Sequence, residues 1–325
     1  MKILITGVAG FIGSHTARAL LNEGHSVIGI DNFDPFYDRG IKERNLRDLE
    51  TSVHFTFFEC DLRNYHQLID ILKNDIPDVV LHLAAKAGVL KSITDTETYI
   101  QNNIAGTHNI LEWMRMHQVK KLVFASSSSV YGNHNSIPFS ESANTDFPLT
   151  PYATTKKTCE LLNYNYHYIH NFDIVNLRFF TVYGPGQRPD LAIHKFTKSI
   201  WNHEPIKIYG VGDTARDYTY IDDIVDGILK SISYIFLSSN IYETFNLGNH
   251  KPIELLTLVR LLYRTMGLPE NYIHTEEQLG DMRITCADIQ KAQQVLGYAP
   301  HTSIESGIQK FISWFTTEQT NSKYS

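Results

Sequence analysis

The chain is poor in cysteine, in long apolar runs and in net charge. Its 325 residues include three cysteines, Cys60, Cys159 and Cys286. They lie far apart and show no metal-ligand spacing, so they are expected to be buried or half-buried thiols in a reducing cytoplasm. No stretch approaches the ~20 apolar residues of a membrane span. The apolar run after Met1-Lys2 is cut by Gly7, Gly10 and Gly13, with polar Ser14 and His15 at its end. That leaves no signal-peptide core and no cleavage site, and the expectation is a cytosolic, enzyme-like protein. A net charge of −6 argues against nucleic acid or an anionic membrane as partner, though not against an anionic small molecule at a locally basic site. The fifteen histidines show no convergent metal spacing, so no metal is expected, and His82 reads as a packed residue. Asp222-Asp223 reads as a helix cap. No internal repeat is visible.

What the chain does have is alternation. Short buried strands are expected at Ile3–Thr6, Ser26–Asp31, His54–Asp61, Asp78–Ala85, Lys121–Ser126 and Asp173–Phe180. Helical patterns separate most of them, notably Ile12–Glu23, Glu97–His117 and Tyr152–His170. Apolar strands alternating with helices predict an α/β fold, a Rossmann-type doubly wound parallel sheet. Beyond Gly184 the alternation is lost, and Pro185, Pro189, Pro205 and Pro252 break the chain. Residues 1–180 are therefore expected to form mainly the sheet domain and 181–325 mainly a smaller C-terminal lobe, with some chain crossing between them. The polar tail from Thr316 is expected to fray.

Gly7-Val8-Ala9-Gly10-Phe11-Ile12-Gly13 joins the first strand to the first helix. A glycine-rich turn there lets backbone approach a pyrophosphate, whose charge then faces the helix N-terminus. The spacing is G-x-x-G-x-x-G, so context must carry the reading. Asp31 ends the second strand, where a carboxylate can accept from adenosine ribose hydroxyls and would repel a 2′-phosphate. These features predict a dinucleotide site that favours NAD over NADP. Asp61 ends the third strand, near the expected adenine position. Leu83-Ala84-Ala85 ends the fourth with small residues that permit close approach. Asn32, Leu62 and Ser126 complete the expected cofactor contacts, with Tyr152 and Lys156 at the nicotinamide end.

Tyr152-Ala153-Thr154-Thr155-Lys156 places a phenol and an ammonium on one helix face. An adjacent cation favours the phenolate, and a tyrosine so tuned can move a proton near neutral pH. Ser126-Ser127-Ser128-Ser129-Val130-Tyr131-Gly132 follows the fifth strand, at the edge where such sheets bind ligands. With these motifs in order, the chain resembles the extended short-chain dehydrogenase/reductases, and within them the NAD-dependent nucleotide-sugar epimerases and dehydratases. The resemblance runs from Lys2 to about Trp314. It implies a catalytic set of Ser127, Tyr152 and Lys156, tightly bound NAD regenerated each turnover, and a UDP-sugar substrate held by the C-terminal lobe. It further implies that Asn103 lies near the cofactor and that Arg216, in Arg216-Asp217-Tyr218, binds the nucleotide diphosphate. Relatives often dimerise through a four-helix bundle, which here would use Glu97–His117 and the tyrosine-rich Tyr152–His170.

The run Arg178-Phe179-Phe180-Thr181-Val182-Tyr183-Gly184-Pro185-Gly186-Gln187-Arg188-Pro189-Asp190 resembles that of UDP-glucuronate 4-epimerases, which interconvert UDP-glucuronate and UDP-galacturonate through a 4-keto sugar. Thr181 stands where epimerases of UDP-galactose type and UDP-xylose-forming decarboxylases usually carry Asn. Ser128, Ser129 and Thr181 are expected to meet the sugar carboxylate, and Arg188 to add positive charge near the sugar or the UDP. Asp281 belongs to the same expected substrate set. Leu90, followed by Lys91, stands where the family often has Arg; Gly186 replaces Trp or Arg, and Leu191 a usual Met. The alternatives are an epimerase of UDP-glucose or UDP-GlcNAc, a UDP-glucuronate decarboxylase, or a catalytically silent NAD-binding sensor or scaffold. Dehydration is disfavoured, because serines stand where dehydratases carry an Asp-Glu pair.

Overall fold

In a computed structural model, residues 1–133, 136–276 and 282–321 are described. The strands are β1 (Lys2–Thr6), β2 (Ser26–Asp31), β3 (Phe55–Glu59), β4 (Val79–His82), β5 (Lys121–Ser127), β6 (Asp173–Phe179), β7 (Thr181–Tyr183), β8 (Ile206–Tyr209), β9 (Ala215–Tyr220), β10 (Tyr242–Leu247), β11 (Pro252–Glu254) and β12 (Tyr272–Thr275). The helices are α1 (Phe11–Asn22), α2 (Arg39–Arg47), α3 (Tyr65–Leu72), α4 (Lys91–Thr94), α5 (Thr96–Tyr99), α6 (Gly106–Met116), α7 (Pro151–His170), α8 (Ala192–Trp201), α9 (Ile221–Leu237), α10 (Leu255–Met266), α11 (Gln290–Leu296) and α12 (Ile304–Asn321).

Seven parallel strands form the main sheet in the order β10-β6-β5-β4-β1-β2-β3. The order reverses at β1, which leaves a crevice between the carboxyl ends of β1 and β4. β1, β4 and β6 are buried on almost every residue, as a sheet covered on both faces requires. One apolar cluster, with Ile3, Val79, Val123 and Leu177, lies on the side covered by α1 and α9. The other, with Leu4, Val80, Phe124 and Ile174, lies under α3, α6 and α7.

Four expectations change. The seventh strand, β10, comes from beyond residue 181 and pairs along all six of its residues with β6. β4 stops at His82 rather than Ala85, because Leu83–Ala85 leaves the sheet to line the crevice. The expected helix over 97–117 is instead α5, a π-helical turn at Ile100–Ala105 and α6. A π turn inserts one extra residue per turn and breaks the 3.6-residue period that sequence patterns report. The tail does not fray at Thr316, since α12 runs on to Asn321 and buries Phe311 and Phe315 on its inner face.

The smaller lobe holds two further sheets, β11-β9-β7 and β12-β8. Asp217 binds its parts together. Its fully buried carboxylate accepts the N–H groups of Asn249, His250 and Ala287 at 2.8, 3.0 and 2.9 Å. The second half of the Arg216-Asp217 pair is thus a backbone fastener and no surface ion-pair partner. Asp223 acts likewise. It caps no helix with its side chain but accepts from His301 and Thr302 N–H groups, tying α9 to the segment before α12.

Candidate active site

One cleft of about 450 Å³ runs along the carboxyl ends of β1, β2, β4, β5 and β6 and the start of β7, within the range of small-molecule sites. Of the residues expected to contact a cofactor, Gly7, Gly10, Phe11, Ile12, Gly13, Asp31, Asn32, Asp61, Leu62, Leu83, Ala84, Ala85 and Ser126 line it. Ser127, Ser128, Tyr152, Lys156, Thr181, Arg188 and Arg216 line it too. Asn103 does not. Its amide donates to the Lys86 carbonyl and the Thr155 hydroxyl and accepts the Lys86 N–H, so it braces the Lys86 segment from behind, while Asn102 faces the cleft. Asp281 lies outside the described residues.

The glycine turn is forced by contact. Gly7 has φ +73°, and a Cβ there would sit 2.8 Å from the Ala84 backbone nitrogen. A Cβ on Gly13 would sit 2.3 Å from the Gly7 carbonyl oxygen. Gly10 is the N-cap of α1 and offers no side chain to the first-turn N–H groups, so the positive end of the helix is uncovered toward the cleft. At the end of β2, Asp31 accepts the N–H groups of Phe33 (2.9 Å) and Ala9 (3.1 Å). Asn32 donates to Asp61, which Arg63 also grips at 2.7 Å. Burial pushes Asp61 up, but its hydrogen bonds from Arg63 and Asn32 outweigh that and hold it below its usual value. A bare helix N-terminus, glycines with no room for a Cβ and a carboxylate at the next strand end together fit a dinucleotide.

At the other end of the cleft, Thr150 caps α7 through the Ala153 N–H and Pro151 occupies its first turn. This start aims Tyr152 at the serine loop. Burial pushes the Tyr152 phenol above its usual value; a hydrogen bond with Ser127 and the charge of Arg188 pull it back. The Lys156 ammonium donates to the Ala125 carbonyl at 2.6 Å and faces the Phe124 ring at 5.0 Å, and burial lowers it to about 8. The charge of Arg188, a residue 36 positions along the chain from Tyr152 that sequence spacing could not pair with it, favours the phenolate. The Ser127 hydroxyl also accepts from the Ser129 hydroxyl at 2.9 Å and its N–H at 3.2 Å, so Ser129 orients Ser127, and both Ser128 and Ser129 line the cleft.

Thr181 opens β7 on the far wall. Arg188 is held by Asp190 through two contacts of 2.9 and 2.7 Å and lies over the Phe36 ring at 5.3 Å. Lys91 lies over the same ring at 4.3 Å, but neither it nor Leu90, which stands in place of the usual arginine, lines the cleft. Gly186 has φ +80° and would place a Cβ 3.2 Å from His15, which accounts for the missing bulky residue there. Leu191 faces the cleft, and Arg216 reaches it from β9.

Sequence reasoning missed a buried unit behind the serine loop. Arg178 on β6 makes a two-pronged ion pair with Glu160 on α7 (2.9 and 2.8 Å), and both are almost fully buried. Glu160 also accepts from the Ser126 hydroxyl at 2.6 Å, and Arg178 donates to the Tyr131 hydroxyl at 3.0 Å. His82 is packed between Thr6 and Thr107 hydroxyls, and burial drives it down to about 3. The cysteines are all buried and unpaired, and no cluster of potential metal ligands occurs among the described residues.

The depression of Lys156 has a thermodynamic signature. Between pH 8 and 10.5 the unfolded chain holds a proton at Lys156 that the folded chain has lost, so this residue makes stability rise with pH across that window. Against a Lys156→Met variant, the wild type is expected to gain ~3 kcal/mol of relative stability from pH 8 to 10.5 in urea titrations. A flat difference would show that Lys156 is not depressed.

Comparison with known proteins agrees with this geometry. The model of the NAD dependent epimerase/dehydratase family matches residues 3–248. A UDP-glucuronate 4-epimerase of Thermodesulfobacterium geofontis is 43% identical, with 96% of this chain and 95% of that protein covered. Protein CapI of Staphylococcus aureus is 40% identical over 97% of this chain and 98% of its own. The crystal structure of UDP-glucuronic acid 4-epimerase from Bacillus cereus, in complex with UDP-glucuronic acid and NAD, superposes with a TM-score of 0.91 at 36% identity, covering 98% of this chain and all of that one (100%). On these grounds the chain belongs to the NAD-dependent epimerase/dehydratase family.

Proposed function

We propose that the protein is a UDP-glucuronate 4-epimerase that interconverts UDP-glucuronate and UDP-galacturonate. The observation that carries this reading is one continuous cleft with a dinucleotide cradle at one end and the Ser127–Tyr152 pair at the other, facing Thr181 and Arg188. Relatives of that activity, aligned over nearly the whole chain, support it. NAD, held by the glycine turn, Asp31 and the Leu83–Ala85 segment, would supply the acceptor for the C4 hydride and return it within the turnover.

The chain's own residues do the rest. Tyr152 takes the proton of the sugar 4-hydroxyl and later gives it back, with Ser127 donating to the phenolate. Arg188 favours that phenolate electrostatically. Lys156, buried against the Ala125 carbonyl, supplies positive charge at the base of the site. Ser128 and Thr181 hold the sugar carboxylate, and Arg216 takes the diphosphate, a task suited to a guanidinium. Holding the carboxylate matters because a 4-keto uronic acid is a β-keto acid. It loses CO₂ when the C5–carboxylate bond aligns with the ketone π-system.

The assembly we infer is a homodimer. Leu161, Tyr164 and Tyr168 form an exposed stripe along α7, with Ile169 beside it and Met116 exposed on α6, while Tyr166 is buried against Glu112. Two copies pairing α6 and α7 as a four-helix bundle would cover this face. Three buried, unpaired thiols suit the cytoplasm, and no helix among the described residues is long and apolar enough to cross a membrane.

Purified protein given UDP-glucuronate without added NAD should form UDP-galacturonate, followed by NMR. Formation of a UDP-pentose, or turnover of UDP-glucose alone, would overturn the substrate assignment. Tyr152→Phe should lower kcat by roughly 10²–10⁴-fold. Thr181→Ala should raise the ratio of decarboxylated to epimerised product about tenfold, the value of one lost hydrogen bond, and an unchanged ratio would remove Thr181 from this role. Leu161→Lys should shift the protein to a monomer by sedimentation; a monomeric wild type would rule out the bundle.

A further inference from the structure

The dinucleotide end of the cleft contains a buried ammonium that no sequence motif announced. Lys42, on α2, lines the cleft and is 6% exposed. Its Nζ lies 3.9 Å from the Asp31 carboxylate, itself 8% exposed, donates to the Asp34 carbonyl at 2.9 Å and faces the Tyr37 ring at 4.8 Å. α2 is fastened to the glycine turn, since Asn45 donates to the Ala9 carbonyl at 2.9 Å. Burial pushes Asp31 up and Lys42 down, and each charge opposes the shift of the other.

We infer that Lys42 is a cofactor-selecting residue: paired with Asp31 it keeps the ribose-binding carboxylate ionised, and freed of Asp31 it becomes the binding group for a 2′-phosphate. This rests on the reading of the glycine-turn end as the dinucleotide site. The two oxygens of Asp31 already accept backbone N–H groups, which fixes the carboxylate in place. A fixed buried carboxylate without a counter-charge takes up a proton and loses acceptor capacity. Lys42 prevents that. The remaining cations here are spoken for by carboxylates other than Asp31. Arg39 pairs with Glu43 and Glu59, Arg63 with Asp61, and Lys86 with Asp34 and Asp95. Removing the Asp31 charge therefore leaves Lys42 as the cation with no carboxylate in salt-bridge contact at this end of the cleft, among the described residues. NADP differs from NAD by one phosphate on the adenosine ribose, the group Asp31 would otherwise repel.

The test is calorimetric binding of NAD and of NADP to protein stripped of nucleotide, in the wild type, Asp31→Asn, Lys42→Met and the double variant. Asp31→Asn should bind NADP at least tenfold more tightly than the wild type does, and adding Lys42→Met should abolish that gain. Lys42→Met alone should weaken NAD binding about tenfold without improving NADP. If the variants lacking the lysine do not fold, Asp31→Asn/Lys42→Arg replaces the double variant and should keep the gain. Equal NADP affinity in Asp31→Asn and wild type, a gain that survives Lys42→Met, a gain lost in Asp31→Asn/Lys42→Arg, or unchanged NAD binding in Lys42→Met would each overturn the role of Lys42. A wild type that binds neither nucleotide would overturn the dinucleotide reading itself.

Discussion

The buried Arg178–Glu160 ion pair joins the two halves of the reactive centre. Tyr152 and Lys156 stand on α7, two turns and one turn before Glu160 on the same helix, while Ser127–Ser129 leave the tip of β5. Glu160 binds Ser126, Arg178 binds Tyr131, and Ser126 sits opposite Arg178 in the sheet register. Desolvating two charges costs several kcal/mol each, and a well-packed apolar pair would often be as stable. What the ion pair adds is direction, because its two parallel hydrogen bonds fix helix, strand and loop in one arrangement. The Ser127–Tyr152 hydrogen bond depends on that arrangement.

A second constraint is set by the parallel sheet. With all seven strands parallel, every strand ends on the same edge, and the loops that follow β1, β2, β4 and β5 must share one crevice. The smaller lobe closes over it by continuing β6 into β7, which carries Thr181 directly from the sheet to the far wall. Its shape is kept by Asp217 and Asp223, whose carboxylates gather backbone N–H groups from distant segments. These acidic residues are fasteners, and the cations at the serine-loop end of the cleft are Arg188 and Lys156.

Two of the lysines lining the cleft, Lys156 and Lys42, are used in opposite ways. Lys156 has a carbonyl and an aromatic face for company and is depressed to about 8, so it is held as a charge near its limit. Lys42 has a carboxylate beside it, and the pair resists burial together. Both are expensive for stability, and both sit where a ligand's charge would need them, consistent with local cost accepted at functional sites.

Local pattern in the chain was enough to assign the strands from β1 to β6, the glycine turn, Asp31 and the Tyr152/Lys156 spacing. These depend on period, on φ > 0 and on contacts within a few residues, all of which are written in order along the chain. The capture of β10 by the sheet, the π turn that carries Asn103, the bond from Lys156 to the Ala125 carbonyl, the charge of Arg188 acting on Tyr152, and the pairings Arg178–Glu160 and Lys42–Asp31 were decided by tertiary structure alone. Each is a contact between different secondary elements, and its energy exists only after burial has removed water and brought those elements together, which no local window of sequence records.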